Sequence, residues 1–565
     1  MLGLLALRFR PPPFHFLRGS VGWRVSRPFG AIAKTINAGT VVALIALSIL
    51  ASNRVGAQVP GSFDGSFALG NGKAFISFGT NTGETASAVV VQPDGKILLA
   101  GICAPTSSHS YNGNFCLARL LSNGQLDPDF DGPSGNGDGK FTLSMGGTDN
   151  MATAVLVQPD GKIVVAGSCN FGSPGGFDFC IARLLPNGDY DPSFTGPASG
   201  TSMSGPGRFA FPVGSANDFV SEIVRQPDNK ILLVGTCSQA GSADFCLARI
   251  NPDGTFDTSF NGPSSSGGGR FLLQMTTAWD SANAVAIQPD GKILVAGTCG
   301  GSTDDFCIAR LLANGTFDSS FGSSGKTIFP VGTSGDNVNA IAVQPDGRIV
   351  LAGHCYIGSS FKFCLARLNT DGTLDDTFDG PSGTGNGKFD FPIGQNDYAT
   401  ALALAPDGKI IVAGYCDVVI SADFCLARLN PDGSLDTTFD GPNPVPGNGK
   451  FPLPIGSTTD IATSMALQPD GKIVVAGFCS NGSNYDFCVA RLNGGPFGYQ
   501  QCSMDIDGDG QHLATRDGLI MTRVMLGLTG SAVTQGITFA PHATRTSWSA
   551  IRNFLVTQCG MSLPQ

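Results

Sequence analysis

The sequence predicts an all-β protein, a seven-bladed β-propeller of four-stranded blades closed by an N-terminal strand, followed by a small α-helical module. Two observations carry this prediction. One segment, seen at residues 405–416 as APDGKIIVAGYC, occurs seven times, and the pieces missing from the last copy precede the first copy. Repetition of one unit indicates an architecture in which each copy buries its apolar faces against its neighbours. The repeated aspartates are Asp94, Asp160, Asp228, Asp290, Asp346, Asp407 and Asp470.

Residues 1–57 have the pattern of an export signal. Basic residues precede an uncharged stretch whose apolar core runs from 38 to 52, and that core is shorter than the ~20 residues that span a bilayer. Val55 and Ala57 are small residues at the positions that favour cleavage before Gln58. We therefore predict export to the extracellular space, the cell surface or the periplasm, with no membrane span after cleavage; an uncleaved signal anchor is the alternative.

The composition after residue 57 is acidic and rich in turn formers. There are 27 basic against 44 acidic residues, which argues against nucleic acid or an anionic membrane as a partner. Glycine accounts for 78 residues of the whole chain, and the only glutamates are Glu84 and Glu222. Asp and Gly favour tight turns whereas Glu favours helices, so the composition is that of a turn-rich β protein.

The sixth copy illustrates the predicted blade. Residues 398–405 form the first strand, and a Pro-Asp-Gly-Lys turn leads to a second strand at 410–416. The third strand covers 423–429, residues 435–439 pack back, and 449–454 form the fourth. Both faces of these strands are largely apolar, as expected for sheets that are covered on both sides. A β-solenoid is the alternative, although its repeats are usually much shorter than ~60 residues.

The ends of the repeat region indicate a closed ring. The last copy stops after Asn493 and lacks both the Leu-Asp-x-x-Phe and the Gly-Lys-Phe elements. Equivalents of both occur at residues 63–67 and 72–76, ahead of the first copy. We therefore predict that residues 58–496 form one propeller and that its N-terminal strand completes the seventh blade, which removes exposed sheet edges.

The recurring Gln-Pro-Asp-Gly-Lys turn, the Ala-Arg-Leu strand and the Asp-Gly-x-Leu-Asp-x-x-Phe element resemble the delta-60 repeat of secreted and surface bacterial proteins. The resemblance covers nearly all of 58–496. It implies a propeller-like β fold and supplies no established catalytic residues.

The sixteen cysteines predict a disulfide framework. Fourteen occur as one pair per repeat, and an even count in an exported chain is typical of disulfides; metal binding and buried free thiols are the alternatives. The repeat pairs are Cys103 with Cys116, Cys169 with Cys180, Cys237 with Cys246, Cys299 with Cys307, Cys355 with Cys364, Cys416 with Cys425, and Cys479 with Cys488. Cys502 and Cys559 bracket the C-terminal segment and form the eighth predicted pair.

One arginine and one aspartate also recur in every repeat. We interpret them as structural ion pairs within a blade, because a semi-buried guanidinium requires a carboxylate acceptor; a charged ring around the channel is the functional alternative. The pairs are Arg119 with Asp127, Arg183 with Asp191, Arg249 with Asp257, Arg310 with Asp318, Arg367 with Asp375, Arg428 with Asp436, and Arg491 with Asp64.

Residues 497–565 contain the clearest chemical motif. Asp505, Asp507 and Asp509 alternate before Gly510, as in loops that bind Ca²⁺ through oxygen ligands. The main-chain carbonyl of Gln511 and the carboxylate of Asp517 complete the predicted set. Helices are expected at 518–528 and 547–558. The motif resembles half of a dockerin, and an Asp-rich turn without metal is the alternative.

The sequence favours an exported, disulfide-stapled binding or scaffold protein whose loops meet an unknown protein or glycan ligand. Two alternatives remain: a carbohydrate-active propeller lyase or hydrolase with loop-borne carboxylates, and an envelope-assembly or adhesion component attached through its tail. No catalytic constellation stands out, so we expect no enzyme activity. His109 and His354 lie near cysteines and are interpreted as loop residues.

Overall fold

The computed structural model describes residues 59–495 except 80–82, 105–112, 136, 173–175, 240, 264–267, 382, 384–385, 419–420 and 443–447. It also describes 506–507, 515–526, 528–539, 543 and 545–557. The predicted export signal lies outside these residues.

Seven four-stranded antiparallel sheets form the blades of a β-propeller. The first strands of blades 1 to 7 are β2 (Gly83–Val91), β6 (Asp149–Val157), β11 (Asp218–Arg225), β15 (Asp280–Ile287), β19 (Ser334–Val343), β23 (Asp397–Leu404) and β27 (Asp460–Leu467). The second strands are β3 (Ile97–Ala104), β7 (Ile163–Asn170), β12 (Ile231–Gln239), β16 (Ile293–Cys299), β20 (Ile349–Ile357), β24 (Ile410–Val418) and β28 (Ile473–Ser480).

The third strands are β4 (Asn114–Leu120), β8 (Phe177–Leu184), β13 (Ser242–Ile250), β17 (Asp305–Leu311), β21 (Ser360–Leu368), β25 (Ser421–Leu429) and β29 (Tyr485–Leu492). The fourth strands are β5 (Lys140–Leu143), β10 (Arg208–Phe211), β14 (Arg270–Leu273), β18 (Lys326–Phe329), β22 (Lys388–Phe391), β26 (Lys450–Leu453) and, for blade 7, β1 (Lys73–Ile76). Blade 2 carries one strand that the sequence did not predict, β9 (Met203–Gly205), which pairs with β10.

The N-terminal strand closes the ring. β1 pairs antiparallel with β29, from Lys73 opposite Ala490 to Ile76 opposite Phe487. Ahead of β1, the amide of Asp64 donates to the carbonyl of Arg491 at 2.8 Å. The seventh blade is therefore built from both ends of the repeat region, which confirms the predicted closure.

The hydrophobic core lies between neighbouring blades. Between blades 5 and 6, for example, Val350 and Ala352 pack against Ile410 and Val412, and all four are buried. Equivalent clusters join every pair of neighbours around the ring. Each sheet is thus covered on both faces, which explains its lack of alternation between polar and apolar residues.

A β-bulge interrupts the first strand of every blade and explains one recurring glycine. In blade 6 the register shifts between Ala399 and Ala401, which leaves Thr400 unpaired. The bulge brings the Tyr398 carbonyl against Gly414, where an added Cβ would lie 2.0 Å from that oxygen. The glycine two positions before each first cysteine is therefore required by close backbone approach.

The Pro-Asp-Gly-Lys turns adopt the geometry expected from their sequence. Gly408 has a φ of 81°, and Asn229 replaces the glycine in blade 3 with a φ of 65°. Asparagine is among the residues that tolerate this left-handed conformation.

The described C-terminal residues form three short helices, α1 (Asp517–Met525), α2 (Ser531–Thr534) and α3 (Trp548–Thr557). α1 and α3 correspond to the two predicted helices. Ile506, Ile520 and Ile551 belong to a small core that this segment forms by itself. No helix within the described residues is long and apolar enough to cross a membrane.

Candidate functional site

The recurring arginines and aspartates form a structural network on the turn face, the face that carries the Pro-Asp-Gly-Lys turns. In blade 6 the Nε atom of Arg428 lies 2.8 Å from an Oδ2 atom of Asp436, and its guanidinium lies over the Phe439 ring. Its Nη1 atom donates to the Gly494 carbonyl in the next blade. The same contacts recur in each blade, with Nε–Oδ2 distances of 2.6 to 2.8 Å. The guanidinium therefore joins one blade to the next.

The environment of these aspartates favours the charged form. Burial opposes ionisation of Asp436, but hydrogen bonds from Lys409 and Thr438 and the charge of Arg428 hold its pKa below its usual range. A salt-bridged carboxylate in such a position serves the fold.

Seven disulfides join the second and third strands within the blades, one in each blade, as the cysteine spacing predicted. Their Cα–Cα distances are 5.7 to 5.9 Å, and all fourteen cysteines are buried. The bonded pairs are Cys103 and Cys116, Cys169 and Cys180, Cys237 and Cys246, Cys299 and Cys307, Cys355 and Cys364, Cys416 and Cys425, and Cys479 and Cys488.

The two cysteines of a pair lie diagonally across the strand pair. In blade 6 the residue directly opposite Cys425 is Gly414, two positions before Cys416, while Asp423 lies opposite Cys416. Because side chains two positions apart share one face of a strand, both sulfurs are on the same side of the sheet. Seven disulfides of this kind indicate an oxidising, extracytoplasmic environment. Cys502 and Cys559 lie outside the described residues.

A central channel runs between the first strands of the seven blades. Its volume is about 300 Å³, and all seven blades contribute to its wall. The unpaired bulge residue of each blade is polar and lines this channel. We call these residues the bulge ring: Ser87, Thr153, Ser221, Asn283, Asn339, Thr400 and Thr463.

The bulge ring ties the blades together. Thr463 of blade 7 donates its hydroxyl to the Ala86 carbonyl of blade 1 at 2.6 Å, so these bonds continue across the closure. The same side chain-to-carbonyl bond links five further pairs of neighbours, at 2.7 to 2.9 Å. The sequence analysis missed this ring, although a polar residue after a small apolar one recurs in every first strand.

Glu222 is the charged residue in the channel wall. It follows the bulge residue Ser221, at a position occupied by alanine in five blades and by Ser464 in the seventh. Its Oε2 atom accepts the Val285 amide of the next blade at 2.7 Å. Burial raises the pKa of Glu222 to about 7.

Four aromatic side chains pack together on the hairpin face, the face at which the hairpins between second and third strands project. Tyr398 and Tyr415 stack with ring centroids 4.7 Å apart, and His354 and Phe361 pack at 5.0 and 5.1 Å from Tyr398. His354 Nδ1 lies 3.2 Å from Nδ2 of Asn339 in the bulge ring. The four aromatic side chains are half-buried.

The prediction that His354 is a loop residue is wrong. It belongs to β20 because the second strand extends beyond the cysteine to Ile357. Burial lowers the pKa of His354 to about 4, so it is neutral at physiological pH. His109 lies outside the described residues.

Further aromatic residues lie on the hairpin face around the ring. Trp279, immediately before β15, is 54% exposed, and Phe219 at the start of β11 is 36% exposed. Phe219 packs against Phe177 of the preceding blade with ring centroids 5.2 Å apart. This face therefore carries aromatic groups at several blades.

A buried acidic residue begins the first strand of most blades. Asp218 accepts the amides of Val213 and Gly214 through Oδ2, at 2.6 and 2.9 Å, whereas its buried Oδ1 accepts no hydrogen bond from the described residues. Burial raises the pKa of Asp218 to about 6, against the effect of the two amides. Blade 2 has Asn150 at this position, and its Nδ2 donates to the Gly113 and Gly147 carbonyls.

We expect Asp218→Asn to stabilise the protein at neutral pH. The folded-state pKa lies above the unfolded value, so wild-type stability falls as pH rises from about 4 to 6 and stays low above that range. The variant should unfold at higher urea concentration at pH 7.5, by about 1–3 kcal/mol, and match wild type near pH 4. The exposed Asp129→Asn is the control. If Asp218→Asn raised the free energy of unfolding equally at both pH values, burial of the Asp218 charge would not be the cause of the stabilisation.

The described residues include two of the five predicted calcium ligands, and these two lie in contact. Oδ1 of Asp517 accepts the amides of Ile506 and Asp507 at 2.6 and 3.1 Å. The carboxyl groups of Asp507 and Asp517 are buried, and Arg516 Nη1 lies 3.6 Å from Asp507 Oδ2. The backbone of residues 506–507 and the start of α1 are therefore adjacent. Asp505, Asp509 and Gln511 lie outside the described residues.

The ring of blades and its channel define a closed seven-bladed β-propeller of the repeat class. Seven segments match the model of the domain of unknown function DUF5122, which is described as a β-propeller domain. The matched residues are 92–130, 158–194, 226–260, 288–321, 344–378, 405–439 and 468–494. No curated protein matches the sequence.

Solved propeller structures resemble the chain at low identity. Polysaccharide lyase Uly1 is 10% identical with a TM-score of 0.40, covering 78% of this chain and 94% of its own. Sqt1 of Chaetomium thermophilum, bound to the N-terminus of ribosomal protein L10, is 11% identical with a TM-score of 0.38. The match covers 73% of this chain and 97% of the Sqt1 chain. The propeller domain of the Trilobed protease from Pyrococcus furiosus is 11% identical with a TM-score of 0.36. The match covers 75% of this chain and 99% of that domain. At these scores the likeness carries no argument about function.

Proposed function

We propose that this protein is an exported binding protein that engages a protein or glycan ligand with its hairpin face. The observation that supports this function is the set of aromatic side chains on the hairpin face, where Tyr398 and Tyr415 are half-buried and Trp279 is exposed. Aromatic side chains with a polar edge supply much of the binding energy in recognition sites. The seven disulfides and the inter-blade bonds hold such a surface rigid, which lowers the entropy cost of binding.

Titrations with a defined panel of ligands test this function. The panel contains neutral and uronate-containing oligosaccharides and immobilised extracellular proteins, and binding is measured by calorimetry and surface plasmon resonance. We expect Trp279→Ala or Tyr398→Ala to weaken binding at least tenfold, whereas the exposed turn-face variant Gln125→Ala leaves it unchanged. Binding that depends on the turn face, or on neither face, would contradict the proposal.

The same panel separates binding from catalysis. New reducing ends, or the ultraviolet absorbance of unsaturated uronates, would identify the hydrolase or lyase that the sequence left open. Within the described parts of the chain, no three acidic, histidine or cysteine side chains come together as a metal-binding group. We propose binding without turnover as the function.

We also propose that Ca²⁺ stabilises the C-terminal module. Asp505, Asp507, Asp509 and Asp517 are four carboxylates in one short segment, and a hard cation bound among their oxygens would offset the repulsion. Asp507→Ala should abolish Ca²⁺ binding in calorimetry and loosen residues 503–558 in hydrogen exchange, while propeller unfolding is unchanged. The exposed Gln535→Ala is the control. If the wild-type module shows no calcium-dependent protection at millimolar Ca²⁺, the motif is only a turn.

A further inference from the structure

Glu222 occupies a position in the channel wall where the fold itself requires no charge. Five blades have alanine there, and Ser464 of blade 7 performs the same backbone contact by accepting the Val89 amide at 3.2 Å. In blade 3 one carboxylate oxygen of Glu222 accepts the Val285 amide. Its Oε1 atom has no hydrogen-bond donor among the residues that the structure describes, and the side chain lines the channel.

The channel wall beside Glu222 contains hydroxyl oxygens whose protons are already donated to backbone carbonyls. Ser221 donates its hydroxyl proton to the Ala282 carbonyl at 2.7 Å, and Thr153 donates to the Val220 carbonyl at 2.9 Å. The hydroxyls of Thr400 and Thr463 likewise donate their protons to backbone carbonyls of the next blade. A hydroxyl has one proton, so the lone pairs of these oxygens remain for a ligand. The other described wall residues are neutral.

We propose that the central channel binds a hard metal cation, with the Glu222 carboxylate as its charged ligand and hydroxyl oxygens of the bulge ring as neutral ligands. Hard cations prefer such oxygen donors, and a single carboxylate gives a weak, millimolar site. A cation would offset the cost of a carboxylate inside the channel. This site is separate from the C-terminal motif and from ligand binding on the hairpin face.

The site should depend on pH through Glu222 alone, because no other described residue of the channel wall is titratable. Burial raises the pKa of Glu222 to about 7, so a bound cation must displace a proton from part of the population. We expect apparent affinity to rise up to tenfold between pH 6 and pH 8, with proton release on binding.

Thermal unfolding of the whole exported chain tests the site with CaCl₂ and KCl as probes, against choline chloride at equal ionic strength. We expect at least one metal cation to raise the propeller transition in wild type and in Asp507→Ala, which lacks the C-terminal motif. Glu222→Gln, whose amide oxygen can still accept the Val285 amide, should lose this rise and bind at least tenfold more weakly in calorimetry.

Glu222→Ala restores the residue of five other blades and serves as the second variant. Equal cation effects in wild type and either Glu222 variant would overturn the proposal, as would the absence of any effect in wild type. Loss of the effect in Asp507→Ala alone would place the cation at the C-terminal motif and also overturn it. The comparison of CaCl₂ with KCl identifies which cation the channel takes.

Discussion

Deleting residues 58–79 is expected to destabilise the whole propeller, beyond the loss of one strand. The deletion removes β1, which leaves the backbone of β29 unpaired at the ring's closing point. It also removes Asp64, so the guanidinium of Arg491 loses a carboxylate at 2.7 Å, and it removes the fully buried Phe67. Loss of the buried ion pair and loss of the buried phenyl ring each cost about 3–5 kcal/mol.

The measurement is the unfolding midpoint of the truncated chain against one that begins at residue 58. Phe67→Ala is a smaller test of the same point, because it opens a cavity at the closure and should cost about 3–5 kcal/mol. Identical midpoints for the truncated and reference chains would show that the seventh blade does not need its N-terminal strand.

The second large effect is expected at Arg428, whose side chain is 1% exposed. Arg428→Ala leaves the carboxylate of Asp436 buried with a weaker counter-charge and breaks the bond to the Gly494 carbonyl. The expected cost is about 3–5 kcal/mol, because breaking the buried pair leaves a buried charge that the partly exposed Lys409 compensates only in part. Arg428→Lys should recover only part of the loss, since an ammonium cannot reproduce the planar fork.

Lys409→Ala supplies a matched control. The Nζ atom of Lys409 contacts the same Asp436 oxygen at 2.7 Å, but its side chain is 23% exposed. Partly exposed pairs contribute about 1 kcal/mol or less, so this variant should change urea unfolding only slightly. If Arg428→Ala costs no more than Lys409→Ala, the guanidinium network is not what joins the blades.

The fold was predictable because its signals are local and repeated. Every copy contains a turn of the Pro-Asp-Gly-Lys type, the cysteine spacing and the apolar strands. The strands assigned in one copy can therefore be assigned in the other six. Closure was also readable, because residues 63–67 and 72–76 supply the elements that the last copy lacks. The extra strand β9 was missed because it belongs to blade 2 alone and has no repeated pattern.

The channel could not be predicted to the same extent because its contacts join residues of different blades. Thr463 and Ala86 are 377 positions apart, and their hydrogen bond depends on ring closure and on the bulge. Neither the bulge nor this contact between the two residues can be inferred from the spacing of residues along the sequence. The aromatic cluster of His354, Phe361 and Tyr398 likewise joins blades 5 and 6. Glu222 did carry a signal, as one of two glutamates in the chain.

Disulfide mapping of the exported full-length protein tests the central claim, a propeller stapled within each blade and matured in an oxidising compartment. The cysteines of each bond are 8 to 13 positions apart on adjacent strands, so non-reducing digestion and mass spectrometry can assign it. We predict seven linked peptides, each with both cysteines from one repeat. Free thiols in most repeats, or links between repeats, would contradict both the blade register and the exported, disulfide-stapled protein.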